Sequence, residues 1–261
     1  MRIFDFYINS SLHVGFAVLT YSKMVSLHFH QNTDFNWFYF VFFATIVGYN
    51  FLKYYDVFKR RNHFFRKEYF SIFVLSTLAI LASIYCFFSF NDSLKITVLS
   101  SSFLVILYPF LRRFWYLKTV CVAFCVTVFI FAPYFDVISF LYRFNITGIE
   151  IKEFVFVSKF FLFILASMVP FEIYDVQYDD KKLQTIPQKF GIEATKIMGC
   201  FLILGFLILS FFEKENLKFD LVISFLMVLA IFYSSGNRSK YFTLFWVESI
   251  PIVWYLILVF C

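Results

Sequence analysis

Pro170-Phe171-Glu172-Ile173-Tyr174-Asp175-Val176-Gln177-Tyr178-Asp179-Asp180 carries four carboxylates and directly follows an apolar run, 154–169, that reads as a membrane span. Charge at the end of a lipid-buried helix is costly and needs a partner, which marks a functional site. On a continuing helix Glu172, Asp175 and Asp179, spaced by three and four, fall on one face, while Asp180 turns away. Three acids on one stripe repel each other unless a cation joins them. The hard cation that suits such a cluster is Mg2+, usually carried in with a phosphorylated substrate.

Working outward, composition sets the class. The hydrophobic fraction is 61%, Phe supplies 44 of 261 residues, and only 15% of residues are charged, which excludes an ordinary soluble domain. Nine apolar stretches, near 10–29, 35–54, 69–90, 94–110, 118–141, 153–174, 194–212, 219–235 and 241–260, are each about long enough to cross a ~30 Å hydrocarbon core. The fifth is interrupted by Pro133. Backbone polar groups in lipid must be satisfied within the segment, so the expectation is an all-α polytopic membrane protein, a bundle of about nine transmembrane helices. The spans do not alternate polar and apolar residues, which argues against a barrel. With no low-complexity linker, residues 1–261 read as a single domain.

Basic residues orient the bundle. The N-terminus and the connections after spans two, four, six and eight hold sixteen of the 23 Lys and Arg; the opposite side has five, and Lys23 and Lys159 lie within spans. This bias places the N-terminus and the acidic loop in the cytoplasm, with the cell inner membrane as the expected location. The net charge of +6 comes from loops facing an anionic leaflet, so nucleic acid is not an implied partner. No removable signal peptide is expected. Cys121 and Cys125 share a helix face without flanking ligands and read as packing residues. Asn145-Ile146-Thr147 fits a short glycosylation pattern on the outer side.

Three cytoplasmic segments read as parts of one site. Past the acids the chain continues Lys181-Lys182-Leu183-Gln184-Thr185-Ile186-Pro187-Gln188-Lys189-Phe190-Gly191. Acids that hold a metal, followed closely by lysines, are what a diphosphate pocket needs, because metal and ammonium neutralise charge on the leaving group. The alternative is a solvated helix end. The loop after span four holds Tyr108, Arg112 and Arg113; paired arginines bind phosphate oxygens or simply anchor the interface. At the end of span two, Asn50, Lys53 and Tyr54 share one face, either facing a substrate or ending a helix with a snorkelling lysine.

Nine spans with polar helix ends after spans two and six resemble the UbiA superfamily of intramembrane prenyltransferases. Its second aspartate-rich motif, D-x-x-x-D followed by a stretch like K-T-L-P-x-x-x-G, is similar to Asp175 and Asp179, the upstream Glu172, and Thr185–Gly191. Tyr108, Arg112 and Arg113 resemble the family's tyrosine and basic pair after span four. The first motif, N-D-x-x-D-x-x-x-D, departs: Asn50 fits its first position, but Phe51, Tyr54 and Phe58 occupy the aspartate positions and none binds magnesium. Lys53 is placed to supply that positive charge directly.

The resemblance implies transfer of an isoprenyl group from a prenyl diphosphate to an aromatic or lipid acceptor. Glu172, Asp175 and Asp179 would hold Mg2+, with Lys53, Arg112, Arg113 and Lys182 as charge partners and Asn50, Tyr54 and Tyr108 facing substrate. Asn9 and His13, near the end of span one, are candidates for the acceptor pocket. Two other readings follow from the same residues. One is a catalytically degraded relative that binds a lipid or partner. The other is a small-molecule transporter, for which Lys23, Lys159 and Glu248 are the hints.

Overall fold

The structure is a computed structural model that describes residues 3–30, 33–59, 67–111, 117–134, 151–179 and 183–261. Among these residues it is all helix. A short helix, α1 (Ile3–Asn9), leads into α2 (Leu12–His28), α3 (Phe35–Lys59), α4 (Lys67–Phe88), α5 (Asp92–Leu111) and α6 (Leu117–Phe131). There follow α7 (Ile151–Asp175), the short α8 (Ile186–Phe190), α9 (Ile192–Glu213) and α10 (Leu217–Tyr233). A π-helical stretch, Phe242–Val247, runs directly into α11 (Glu248–Phe260).

Each of the nine apolar stretches is met by a helix. Among the described residues five of these are long and apolar enough to cross a membrane by length and composition: Phe35–Tyr54, Tyr69–Phe88, Ile151–Asp175, Ile192–Glu213 and Phe242–Phe260. The count of nine crossings is therefore not fixed by length alone, but the helical membrane class is. The fifth stretch stops as helix at Phe131, just before Pro133, whose ring cannot continue the ladder.

The outside of the bundle is apolar: Leu78, Tyr85, Phe88, Phe201, Phe211 and Phe260 are all exposed. In water this would be an aggregating surface; in lipid it is the solvent-matched one. Polar groups turn inward instead. Thr45, Thr127 and Ser210 satisfy their hydroxyls on the carbonyls four residues back, and Trp37 Nε1 donates to Ser22 Oγ at 3.0 Å, tying α3 to α2. The pair approaches closely at Gly15, where an added Cβ would lie 3.1 Å from Phe42 and 3.2 Å from Ile46.

Helix α7 packs most extensively on α9, and α2 touches α3, α6 and α11. At the centre Trp254 of α11 stacks on Phe160 of α7 at 5.3 Å between ring centroids and lies 4.9 Å from Phe163. Helix-to-helix adhesion here rests on ring packing, since lipid offers no hydrophobic drive.

Candidate functional site

Helix α7 ends at Asp175, so the acidic stripe is not wholly helical. Residues after Asp175 form a turn in which the Tyr178 and Asp179 N–H groups both donate to the Asp175 carbonyl at 2.8 Å. Glu172 is buried, whereas Asp175 and Asp179 are half-buried. Their carboxylates are not gathered to within 4.8 Å of one another; among the described residues only His28, Glu213 and Glu215 form such a group. The stripe is an open set of oxygen donors rather than a closed cage.

The segment after the acids has a local reason to fold back. Gln188 Oε1 accepts from the Thr185 N–H at 3.1 Å, and its Nε2 donates to the Asp179 carbonyl at 3.2 Å. One side chain thus clasps both limbs of the loop, beside Pro187 in the first turn of α8, where a missing N–H costs nothing. Gly191 then turns the chain into α9 at φ +86°, ψ 161°, a region essentially open to glycine alone. The T-x-P-x-x-x-G tail is the fixture that holds Asp179 in place.

The first-motif face packs against the start of the chain. Asn50 is only 2% exposed, and its amide is fully engaged: Oδ1 accepts from Ser11 Oγ at 2.8 Å, and Nδ2 donates to Ser10 O at 3.1 Å and Ser76 Oγ at 2.9 Å. Tyr54 donates to Asn9 O at 2.8 Å, and Lys53 Nζ reaches the same carbonyl at 3.4 Å. All three clamp the break between α1 and α2, where Ser11 sits at φ +61°. Asn50 is a structural bracket; Lys53, exposed near the last turns of α3, keeps donor capacity for a ligand.

His13 is likewise a fastener. Tyr7 donates to its Nδ1 at 2.8 Å, and its Nε2–H points at Phe245 O (3.0 Å) and Ser249 Oγ (3.1 Å). A carbonyl can only accept, so this pattern requires the Nε2–H tautomer. The Phe245 carbonyl is available because the π-helical stretch leaves it to Ser249, His13 and the Glu248 N–H. Burial, and then the Glu248 carboxylate, push the Tyr7 phenol above its usual range.

Between α2, α3, α6, α7 and α11 lies a small apolar cavity, part of it open to the outside. Its wall includes Tyr21, Tyr49, Ile164, Met168 and Phe171. On α7 the lining residues Ile164, Ser167, Met168 and Phe171 recur at helical spacing, and the next position in that row is Asp175. One carboxylate is inside the wall: Glu248, 9% exposed, with Oε2 lacking any hydrogen-bond partner and Lys53 within electrostatic reach. The sequence marked Glu248 only as a buried acid before Pro251; its place on the cavity wall needed the π-helical register.

Arg112, Arg113 and Lys182 lie outside the described residues, as do Asp180, Lys181 and Asn145–Thr147, and Tyr108 is described only as helix backbone. Of the transport hints, Lys159 is paired with Glu213 and Asp220, and Lys23 lies over the Phe38 ring at 4.6 Å. Glu248 forms no ion pair with a lysine among the described residues.

No protein-family model matches the chain, and no curated protein matches it in sequence. Solved structures do. A UbiA homolog from Archaeoglobus fulgidus superposes with a TM-score of 0.63 at 15% identity, covering 97% of both chains. The same homolog bound to GPP and Mg2+ gives 0.62 at 16% identity, again over 97% of both chains. Bound to DMAPP and Mg2+ it gives 0.60 at 13% identity over 97% of this chain and 96% of that one. The chain has a UbiA-like fold and is an integral membrane helical bundle.

Proposed function

We propose that this protein is an intramembrane prenyltransferase that moves an isoprenyl group from a prenyl diphosphate to a hydrophobic acceptor. The observation that carries the reading is the continuity of one row on α7, Ile164, Ser167, Met168 and Phe171 in the cavity wall and then Asp175 at the helix end. Such a row joins a greasy chamber for an isoprenyl chain to an acidic mouth for its charged head.

Glu172, Asp175 and Asp179 are the residues that would hold Mg2+. All donors are carboxylate oxygens in an open arrangement, which fits a cation that keeps waters and shares substrate phosphates. When bound, Mg2+ would neutralise charge on the diphosphate. Only one such cluster is available, because Phe51, Tyr54 and Phe58 take the other positions. Lys53 is the residue at that helix end that would contact diphosphate oxygens, joined by Arg112, Arg113 and Lys182 from their loops. The homolog's Mg2+ and prenyl diphosphates support this reading.

In the cavity Tyr21, Tyr49 and Phe171 exclude water and present ring faces, each worth about 0.5–2 kcal/mol to a nearby cation. Glu248 is the cavity's own carboxyl group, and its unpartnered oxygen would orient a hydroxyl or amine on the acceptor. The charge bias places the acidic mouth on the cytoplasmic side.

The test is prenyl-diphosphate turnover by the purified protein in detergent, with and without Mg2+, comparing Asp175→Ala and Asp179→Ala. Product that depends on Mg2+ and vanishes in both variants supports the assignment; turnover unchanged in them removes it. A second reading has its own observation, the engagement of Asn50 and Tyr54 in the α1–α2 break where the family pattern has metal-binding motif residues. A degraded relative would bind a diphosphate analogue with Mg2+ and release no product.

A further inference from the structure

A second polar cluster lies at the other end of the bundle. Lys159 and Glu172 are thirteen positions apart on α7, about 20 Å along the axis. Around Lys159, which is 1% exposed, are Glu213, bonded to its ammonium, and Asp220 at 3.1 Å. That arrangement uses one oxygen of Glu213. Its other oxygen, Oε1, has no hydrogen-bond partner although the side chain is only 8% exposed, and it faces His28 Nδ1 at 3.5 Å. Glu215 Oε2 approaches the same nitrogen at 3.7 Å.

We propose that His28, Glu213 and Glu215 form a binding site for a borderline divalent transition ion such as Zn2+ or Co2+. One ligand atom from each residue lies within 4.8 Å of the others. The two N···O separations are longer than an ordinary N–H···O hydrogen bond. They suit a shared metal better: bonds of about 2.0–2.1 Å at tetrahedral angles put neighbouring ligand atoms roughly 3.3 Å apart.

The chain builds the site by three separate devices. The His28 ring is fixed flat on Phe156, centroids 3.6 Å apart and planes 9° from parallel, which sets the direction of Nδ1. Lys214 takes φ +64° as α9 ends, so that Glu213 and Glu215, which would diverge on a helix, converge on that nitrogen. Lys159 orients Glu213 from behind, as an outer-shell partner of a metal ligand does. With neutral His28, the charges of Lys159, Glu213, Glu215 and Asp220 leave a surplus of about two negative units, which a divalent ion cancels. An imidazole beside two carboxylates selects such an ion over Mg2+ or Ca2+.

The experiment uses the whole chain, purified in detergent, stripped with chelator and held in excess Mg2+ to occupy hard-oxygen sites. Titration with Co2+ should give visible d–d absorption at one ion per chain, displaced by Zn2+, and calorimetry with Zn2+ should give the same stoichiometry. Glu215→Gln, whose side chain is 67% exposed and so tolerant of change, and His28→Ala should each weaken binding by more than about tenfold. Asp175→Ala should leave it unchanged. Absent stoichiometric binding, or binding indifferent to Glu215→Gln, overturns the proposal.

Discussion

Ser11 and Asn50, 39 positions apart, are joined side chain to side chain at 2.8 Å inside the bundle. Asn50→Ala would leave the Ser11 hydroxyl and the Ser10 carbonyl short of a partner in a buried place. The expected cost is about 1–3 kcal/mol, read as a lower thermal midpoint in detergent. Magnesium affinity should not change, which separates a bracket from a ligand. A variant with native stability and weakened Mg2+ binding would reverse that assignment.

Asp175 continues the cavity row of α7, and removing its charge strikes at the diphosphate end alone. Asp175→Asn should lower prenyl transfer by about 10²-fold or more, on the scale of deleting one electrostatic stabiliser of a transition state. Its thermal midpoint should stay near that of the native chain. Single-turnover rates at saturating prenyl diphosphate check this.

Glu248 is held in an apolar wall without a hydrogen bond to Oε2. Glu248→Leu should stabilise the fold by about 1–3 kcal/mol, the cost of leaving a polar group buried unpaired. It should also reduce transfer to hydroxyl acceptors by about 10²-fold, as loss of a group that positions the reactant does. A midpoint that rises while turnover falls is the joint signature; a variant less stable than the native chain contradicts it.

Among the described residues Lys159 is the sole lysine or arginine within ion-pair distance of both Glu213 and Asp220. Lys159→Met leaves two buried carboxylates facing each other and should cost about 3–5 kcal/mol. Adding Asp220→Asn should recover part of that loss. Denaturation in mixed detergent across the single and double variants measures the coupling.

Much of this architecture was legible in the chain. Each apolar stretch became a helix because lipid forbids any other way of satisfying backbone N–H and C=O groups over that length. The acids at 172–179 and the T-x-P-x-x-x-G tail were likewise visible, since they are close in sequence and their geometry is set locally, by one helix end and the loop after it. What escaped were partnerships across the bundle. Nothing near Asn50 indicates that its amide closes on Ser10 and Ser11, and nothing near His28 points to Glu213. The helical face drawn through Asp179 also failed at its last member, because the helix stops at Asp175 and a turn takes over.

The wide turn at Phe242–Val247 sets the phase of everything beyond it. Restoring ordinary pitch there without shortening the chain would swing the following segment by about 100°. The carboxylate at 248 would then leave the chamber for a neighbouring helix or the bilayer, while the imidazole at 13 lost its carbonyl anchor. The wide pitch of that stretch, more than its side-chain identities, is what variation at constant length should be unable to alter without emptying the pocket of its polar occupant.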